Sequence, residues 1–270
     1  MEKLVQHVNR YKFVLSELVK KGIKLRYRRS YLGIFWSMLE PLLNMIVLYF
    51  VFGALLGRSN NDYGGLHFMI YILSGRLIYT CFNQSTKECT RVIRKNAALI
   101  KKVYIPKYLF PLSDLMFNFF LFLVSLLVLV HVSVVLMICG VQPMFNLFTL
   151  QFIIPLINLF LLTLGVSLIV ATIGVFFKDI DYLWNVFMTL VFYASAIFYP
   201  ISKIEKNAPV VAKIMQLNPL YCTITNFREC LQGGRMSYSY VLYTFVFSVI
   251  CIVIGALLFK KYQDKFVLYV

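Results

Sequence analysis

Long apolar runs are what most limit the folds open to this sequence. The stretches Phe110–Cys139, Phe145–Phe177 and Tyr238–Phe259 are each apolar for longer than the ~20 residues a helix needs to cross a bilayer. The rest of the chain does not offset them. Hydrophobic residues make up 60% of the sequence and charged residues 14%, and the mean hydropathy is +0.78. A soluble domain is about a quarter charged, and one soluble core cannot hide such an apolar surplus. The sequence excludes disorder, collagen, small disulfide scaffolds and ordinary cytosolic enzymes. It predicts an all-α polytopic membrane protein.

Six spans are predicted, at about 36–56, 66–82, 110–139, 145–177, 182–199 and 238–259. The third and fourth exceed the needed length and are expected to tilt or to extend beyond the bilayer. Residues 1–30 are basic and only intermittently apolar, unlike a cleavable signal peptide. They are expected to form a unit of their own before a transmembrane domain over 31–260 and a tail over 261–270. Twenty of the 27 Lys and Arg lie before span one, between spans two and three, at Lys178 and after span six; seven lie elsewhere. The positive-inside rule then places both termini in the cytoplasm, as an even number of spans requires. The net charge of +16 therefore reports topology and anionic lipid rather than nucleic acid. The six cysteines form no CxxC pair, and only Cys222 and Cys230 lie close enough in one outer segment for a bridge.

Three segments outside the spans carry pattern. Leu4, Val8, Tyr11, Leu15 and Leu18 make one apolar stripe among Lys and Arg, as in a helix lying in the headgroup plane or in a tail that only sets topology. Ser85–Val103 reads as one basic helix, capped by Ser85 or Thr86 and ended by Pro106, whose leftover apolar edge needs lipid or protein. Within Pro200–Ser237, the stretches Val210–Leu217 and Tyr221–Leu231 are too short to span and too apolar for free loops. They read as re-entrant or interfacial helices, or as half-buried surface turns.

The sequence has no phosphate loop, and His7, His67 and His131 are isolated, so no nucleotide or metal site is expected. Only Arg76 and His131 lie near a span centre, which argues against an ion-coupled carrier; no acid or histidine pair suggests a membrane-embedded transferase. Aromatic residues in spans one and five, namely Tyr49, Phe52, Phe187, Phe192, Tyr193, Phe198 and Tyr199, offer flat faces for sugar rings, or for bundle packing and lipid. In Leu25–Pro41, the group Arg26, Arg28, Arg29 and Tyr31 precedes Leu32 and Gly33. Such closely spaced arginines fit a bidentate grip on phosphate as well as ordinary boundary anchoring.

The segments Lys24–Pro41 (KLRYRRSYLGIFWSMLEP), Asn96–Pro106 (NAALIKKVYIP), Phe177–Asp181 (FKDID), Phe198–Pro200 and Leu217–Arg228 (LNPLYCTITNFR) together resemble the transmembrane subunit of type-2 ABC transporters that export O-antigen, capsular polysaccharide or teichoic acid. The resemblance covers nearly the whole chain. It implies a homodimer in the bacterial cytoplasmic (inner) membrane, paired with two copies of a separate ATP-binding subunit that carries the ATP and Mg; this chain itself would bind no cofactor or metal and catalyse nothing. It implies an ATPase-coupling helix over about 86–103, with Arg91, Arg94, Asn96, Leu99, Ile100 and Lys102. It also implies a headgroup site at Arg26, Arg28, Arg29, Tyr31, Leu32 and Gly33 for a polyprenyl-diphosphate-linked polymer. Spans one and five would line the channel, and Pro200, Asn218, Pro219 and Arg228 would belong to an outer gate. An ABC-type exporter of small lipids or drugs shares this architecture; a secondary carrier and a glycosyltransferase are the more distant alternatives.

Overall fold

The computed structural model describes residues 2–55, 66–103, 105–140 and 147–269. Among them every regular element is helical. Leu56, Arg58 and Phe145, and the side chains of Leu4, His7 and Val8, lie outside the described set. The helices are α1 Glu2–Tyr27, α2 Trp36–Tyr49, α3 Phe68–Cys89, α4 Val92–Lys95, α5 Ala97–Lys102, α6 Leu109–Ile138 and α7 Ile153–Phe176. They continue with α8 Ile180–Ala194, α9 Ile201–Asn207, α10 Pro209–Gln216, α11 Pro219–Leu231, α12 Tyr238–Tyr262 and α13 Phe266–Tyr269. Four helical stretches, Gly33–Phe52, Leu109–Ile138, Thr149–Phe176 and Tyr238–Lys265, are long and apolar enough to cross a membrane. The chain is thus a multi-pass membrane protein. Of the other two predicted spans, α3 has the length but carries Arg76, Lys87 and Glu88, while α8 is apolar but has only 15 residues.

Helix α3 forms the axis. Ile70, Ile72, Leu73, Leu77 and Ile78 are all but fully buried, and residues from α2, α6, α7, α8 and α11 complete the same cluster. Helices in lipid gain little from apolar burial against one another, so close packing and small residues must hold them together. A Cβ on Gly165 of α7 would lie 2.7 Å from Cys251 Cβ of α12, and one on Gly174 would lie 1.9 Å from the Thr90 carbonyl oxygen. These glycines set the α7–α12 approach and seat the turn after α3.

Proline supplies another tie. Pro41 lies inside α2 and has no N–H to offer the carbonyl of Ser37 one turn back. Ser125 Oγ of α6 donates to that carbonyl at 2.7 Å, so the break in α2 becomes a hydrogen bond to its neighbour.

Two smaller clusters mark the ends of the bundle. At one end Cys89, Val92, Ile93, Phe110, Val175, Phe259 and Phe266 pack together where α3, α7 and α12 finish and α6 begins. This end also carries Lys101, Lys102, Lys260, Lys261 and Lys265, and is termed the basic end. At the far end Ala196, Met215, Tyr221 and Cys222 pack with Tyr240 and Tyr243 at the start of α12.

Two boundaries differ from those predicted. The basic helix expected over Ser85–Val103 is three pieces: the end of α3, then α4 and α5. Ser85 and Thr86 cap nothing; their hydroxyls donate back to the carbonyls of Cys81 and Phe82 inside α3, both at 2.8 Å. The fifth predicted span, 182–199, ends early: α8 stops at Ala194, and residues 195–200 form a non-helical turn with Ala196 at φ +48°.

Candidate functional site

At the basic end, α1 runs along α6, with Gly22 against the Phe117 ring and the Arg26 guanidinium 5.6 Å from that ring's centre. The chain then turns. Ser30 Oγ accepts from the Gly33 N–H at 3.1 Å, and Gly33 adopts φ +52°, a left-handed conformation that costs a side-chain-bearing residue about 1–2 kcal/mol. Between the end of α1 and this turn lies an open groove of about 800 Å³ whose charged lining is Lys20, Lys21, Lys24 and Arg28 against one acid, Glu17. Lys20 donates to the Glu17 carboxylate at 2.8 Å and holds that carboxyl below its ordinary range. Burial pushes the Tyr27 phenol on the groove wall up, so it stays neutral near pH 7. The fixed charge of the groove is therefore positive.

Of the six residues named from the sequence for this site, Arg28 and Gly33 line the groove. Arg29, Tyr31 and Leu32 are exposed beside it. Arg26 turns inward instead, 3.4 Å from the Glu88 carboxylate and 3.3 Å from Asn118 Oδ1. The sequence reading missed Lys20, Lys21 and Lys24; their signal was a four-residue spacing on the α1 face opposite the apolar stripe.

Behind Arg26 a second, smaller cavity of about 280 Å³ opens between α2, α3 and α6. Its polar lining comes from Arg26 and Tyr27 at the end of α1, Ser37, Glu40 and Asn44 on α2, Arg76, Thr80 and Gln84 on α3, and Asn118 and Ser125 on α6. Those on α2 and α3 recur at three- or four-residue intervals along otherwise apolar helices, a pattern that turns polar groups to one face.

The seven channel candidates divide. Phe52 stacks on Phe198 at 5.5 Å, Phe198 meets Phe192 at 5.0 Å, and Phe192 meets Tyr79 at 4.9 Å. Tyr49 stacks on His67 at 5.9 Å. The Tyr199 hydroxyl donates to the Tyr193 carbonyl. Phe187 and Tyr193 on α8 stand 49% and 60% exposed. Tyr49, Phe52, Phe192 and Phe198 thus serve packing within the chain, and Phe187 and Tyr193 face outward.

The short helices α4 and α5 are tied into the bundle at defined points. Asn96 ends one and begins the other, its side chain donating to the Val92 carbonyl at 2.9 Å. Arg94 reaches the Asp181 carboxylate at 3.2 Å, and the Thr90 hydroxyl donates to the same carboxylate. Farther along α8, Trp184 Nε1 donates to Thr86 Oγ1 at 3.0 Å and the Tyr79 hydroxyl donates to the Met188 carbonyl at 2.8 Å. Leu99 and Ile100 are half-buried against the basic-end cluster, whereas Arg91, Lys95 and Lys102 are exposed.

The model of the ABC-2 type transporter family matches residues 14–232, most of the chain. The chain belongs to the ABC-2 type transporter family. The relatives of this ABC-2 protein include the O-antigen export system permease protein RfbA of Klebsiella pneumoniae, 28% identical over 94% of this chain and 93% of that protein. The protein of the same name from Myxococcus xanthus is 28% identical over 87% and 86%. The polysialic acid transport protein KpsM of Escherichia coli is 22% identical over 94% and 95%.

The far end of the ABC-2 chain is held by the four residues that the sequence suggested for a gate. Pro200 leads into α9 and Pro219 opens α11. Asn218 accepts from the Leu220 N–H at 3.0 Å and donates to Ser195 Oγ at 3.1 Å. Arg228, only 6% exposed, donates to the carbonyls of Tyr71, Ala196 and Ile197 at 2.9, 3.1 and 3.2 Å. Its guanidinium sits 3.4 Å from the centre of the Tyr71 ring, and the Tyr71 hydroxyl donates to the carbonyls of Ala196 and Tyr199. Non-helical backbone in an apolar surrounding must have its carbonyls bonded by protein; Arg228 and Tyr71 do this for the break after α8. The sequence alone does not single out Tyr71, because its partners are more than a hundred residues away.

Proposed function

We propose that this chain is the transmembrane subunit of an ATP-driven exporter of lipid-linked polysaccharide, working as a pair with two ATP-binding subunits in the bacterial cytoplasmic membrane. One observation carries this reading: the likeness to O-antigen export permeases runs through 94% of the chain. The basic end faces the cytoplasm. There the groove lined by Lys20, Lys21, Lys24 and Arg28 receives the diphosphate of the lipid carrier, which several mobile cations can hold without a fixed geometry. The exposed side of α4 and α5 presents Arg91, Lys95 and Lys102 to the ATP-binding subunit. Movement of that segment on ATP binding passes through Thr90 and Arg94 to Asp181 and so to α8, which with α2 borders the channel. Phe187 and Tyr193 give passing sugars many weak stacking contacts, so no single site arrests the polymer.

The coupling surface is tested by charge reversal. With Arg91, Lys95 and Lys102 all changed to Glu, the amount of ATP-binding subunit that co-purifies and the polymer at the cell surface should both fall by roughly tenfold or more, equivalent to at least about 1.4 kcal/mol of association energy. The substituted side chains are exposed, so the fold should survive. Full co-purification and normal surface polymer would overturn the assignment.

A further inference from the structure

The polar cavity between α2, α3 and α6 has no part in the reading above, yet its composition is specific. Arg76 lies midway along α3, where a cation is costly in a membrane and marks function by default. Among the described residues its guanidinium makes no hydrogen bond or ion pair, and neither do the side chains of Gln84 and Glu40, which share the cavity with it. Asn44 spends its amide N–H on the Glu40 backbone carbonyl at 2.9 Å and keeps its side-chain oxygen. The wall thus offers donors from Arg76 and Gln84 and acceptors from Glu40, Asn44 and Gln84. The indole of Trp36 adds a flat apolar face.

This mixture selects among ligands. A phosphate or carboxylate would find no cation to spare, since Arg26 faces the Glu88 carboxylate and Arg76 shares the cavity with Glu40. An acyl chain would strand every one of these polar groups. A polyol, whose hydroxyls both donate and accept, satisfies both sets, and a ring of C–H groups lies flat on an indole. At about 280 Å³ the cavity lies just below the roughly 300–1,000 Å³ usual for ligand sites, enough for one ring and not for a chain. Tyr27 lines both this cavity and the basic groove, so the two are adjoining compartments.

We propose that the cavity receives the first sugar of the lipid-linked chain while the groove holds the diphosphate to which that sugar is attached. The inference rests on the groove reading of the proposed function and adds sugar recognition to it. The transporter therefore reads the junction of carrier and glycan before translocation.

The test uses the full-length chain in lipid nanodiscs with Trp184→Phe, which leaves Trp36 as the single tryptophan. The probes are a short polyprenyl diphosphate, bare and bearing one N-acetylhexosamine. The sugar-bearing probe should change Trp36 fluorescence and bind about tenfold tighter than the bare one. Arg76→Gln should abolish that advantage and leave bare-diphosphate affinity unchanged. Gln84→Leu, which keeps volume and helix propensity, should reduce it if Arg76→Gln does not fold. Arg28→Ala should weaken both probes alike. Equal affinity for the two probes, still sensitive to Arg28→Ala, would overturn the sugar site and leave the groove reading standing. Equal weakening of both probes by Arg76→Gln would make the cavity a phosphate site and overturn the inference. Failure of both probes to bind the parent protein would overturn the groove reading and the inference with it, whereas binding of the bare probe alone would overturn only the inference.

Discussion

Arg228 is the single side chain on which the far end turns. A buried guanidinium ordinarily faces a carboxylate, because an unpaired charge out of water is costly. Here three carbonyls and the Tyr71 ring take that place. Gly75 makes the room: a Cβ there would lie 2.6 Å from Arg228 Nη2. Two of the three bonds go to Ala196 and Ile197, in the turn where Ala196 holds a left-handed φ of +48° that its methyl group disfavours. Arg228→Met retains length and apolar bulk but loses every donor. The Ala196 and Tyr71 carbonyls keep the Tyr71 and Ser74 hydroxyls as donors, so the Ile197 carbonyl is the acceptor left unbonded, at a cost of about 1–3 kcal/mol. Thermal denaturation of the purified protein checks this, and a melting temperature equal to wild type would mean that the turn finds other donors. Arg228→Lys should lose nearly as much, since a compact ammonium cannot replace a planar fork that reaches two elements at once.

At the scale of the element, the long helices were legible in the sequence and the breaks between them were not. The apolar runs predict α6, α7 and α12 to within a few residues at the ends the structure describes, because span length and hydropathy act locally. The end of α8 escaped because Ser195–Tyr199 is as apolar as the helix before it; what frees that stretch from helix is the bonding supplied by Arg228 and Tyr71, remote in sequence. The false helix start at Ser85 has the opposite cause, since a hydroxyl that caps a terminus can equally bond one turn back inside a helix. The groove was half legible: clustered arginines gave its place, but the inward turn of Arg26 depends on Glu88 and Asn118 of other helices. The kinked α4–α5 segment is bonded to α8 through the Asp181 carboxylate, with Gly174 seating the turn beneath it, and in the proposed mechanism this bond carries its movement. Asp181→Ala should therefore leave the exposed coupling face and the bound ATP-binding subunit in place while polymer export falls several-fold. The Arg94–Asp181 pair is partly exposed and worth about 1 kcal/mol at most, so stability should change little. Exchanging the pair as Arg94→Asp with Asp181→Arg should recover part of the export; normal export in Asp181→Ala would remove the link from the mechanism.

For the whole molecule the open question is which way the bundle lies across the membrane. Helix α12 carries 25 residues, about 37 Å of helix, between the far-end and basic-end clusters. That length exceeds the ~30 Å hydrocarbon core, so the helix is long enough to set its two ends in opposite interfaces. Helix α8, at 15 residues and about 22 Å, falls short alone. Its first turn holds Asp181, bonded to Thr90 and Arg94 near the basic end, and the turn after it packs with α10 and α11 in the far-end cluster. If the chain crosses six times as proposed, the α8 crossing must be completed by the non-helical backbone that Arg228 bonds. The lysines of the basic end should then face the cytoplasm. Cys139 is exposed and Cys251 half-buried, while Cys81, Cys89, Cys222 and Cys230 are buried, so Cys139→Ala with Cys251→Ala supplies a quiet background for single-cysteine mapping. Lys206→Cys on α9 should react with a membrane-impermeant maleimide in intact cells. Lys102→Cys on α5 and Lys261→Cys on α12 should react only after permeabilisation, all three positions being exposed. Labelling of Lys102→Cys in intact cells would invert the molecule, whereas labelling of Lys261→Cys alone with Lys206→Cys would mean that the bundle crosses an odd number of times.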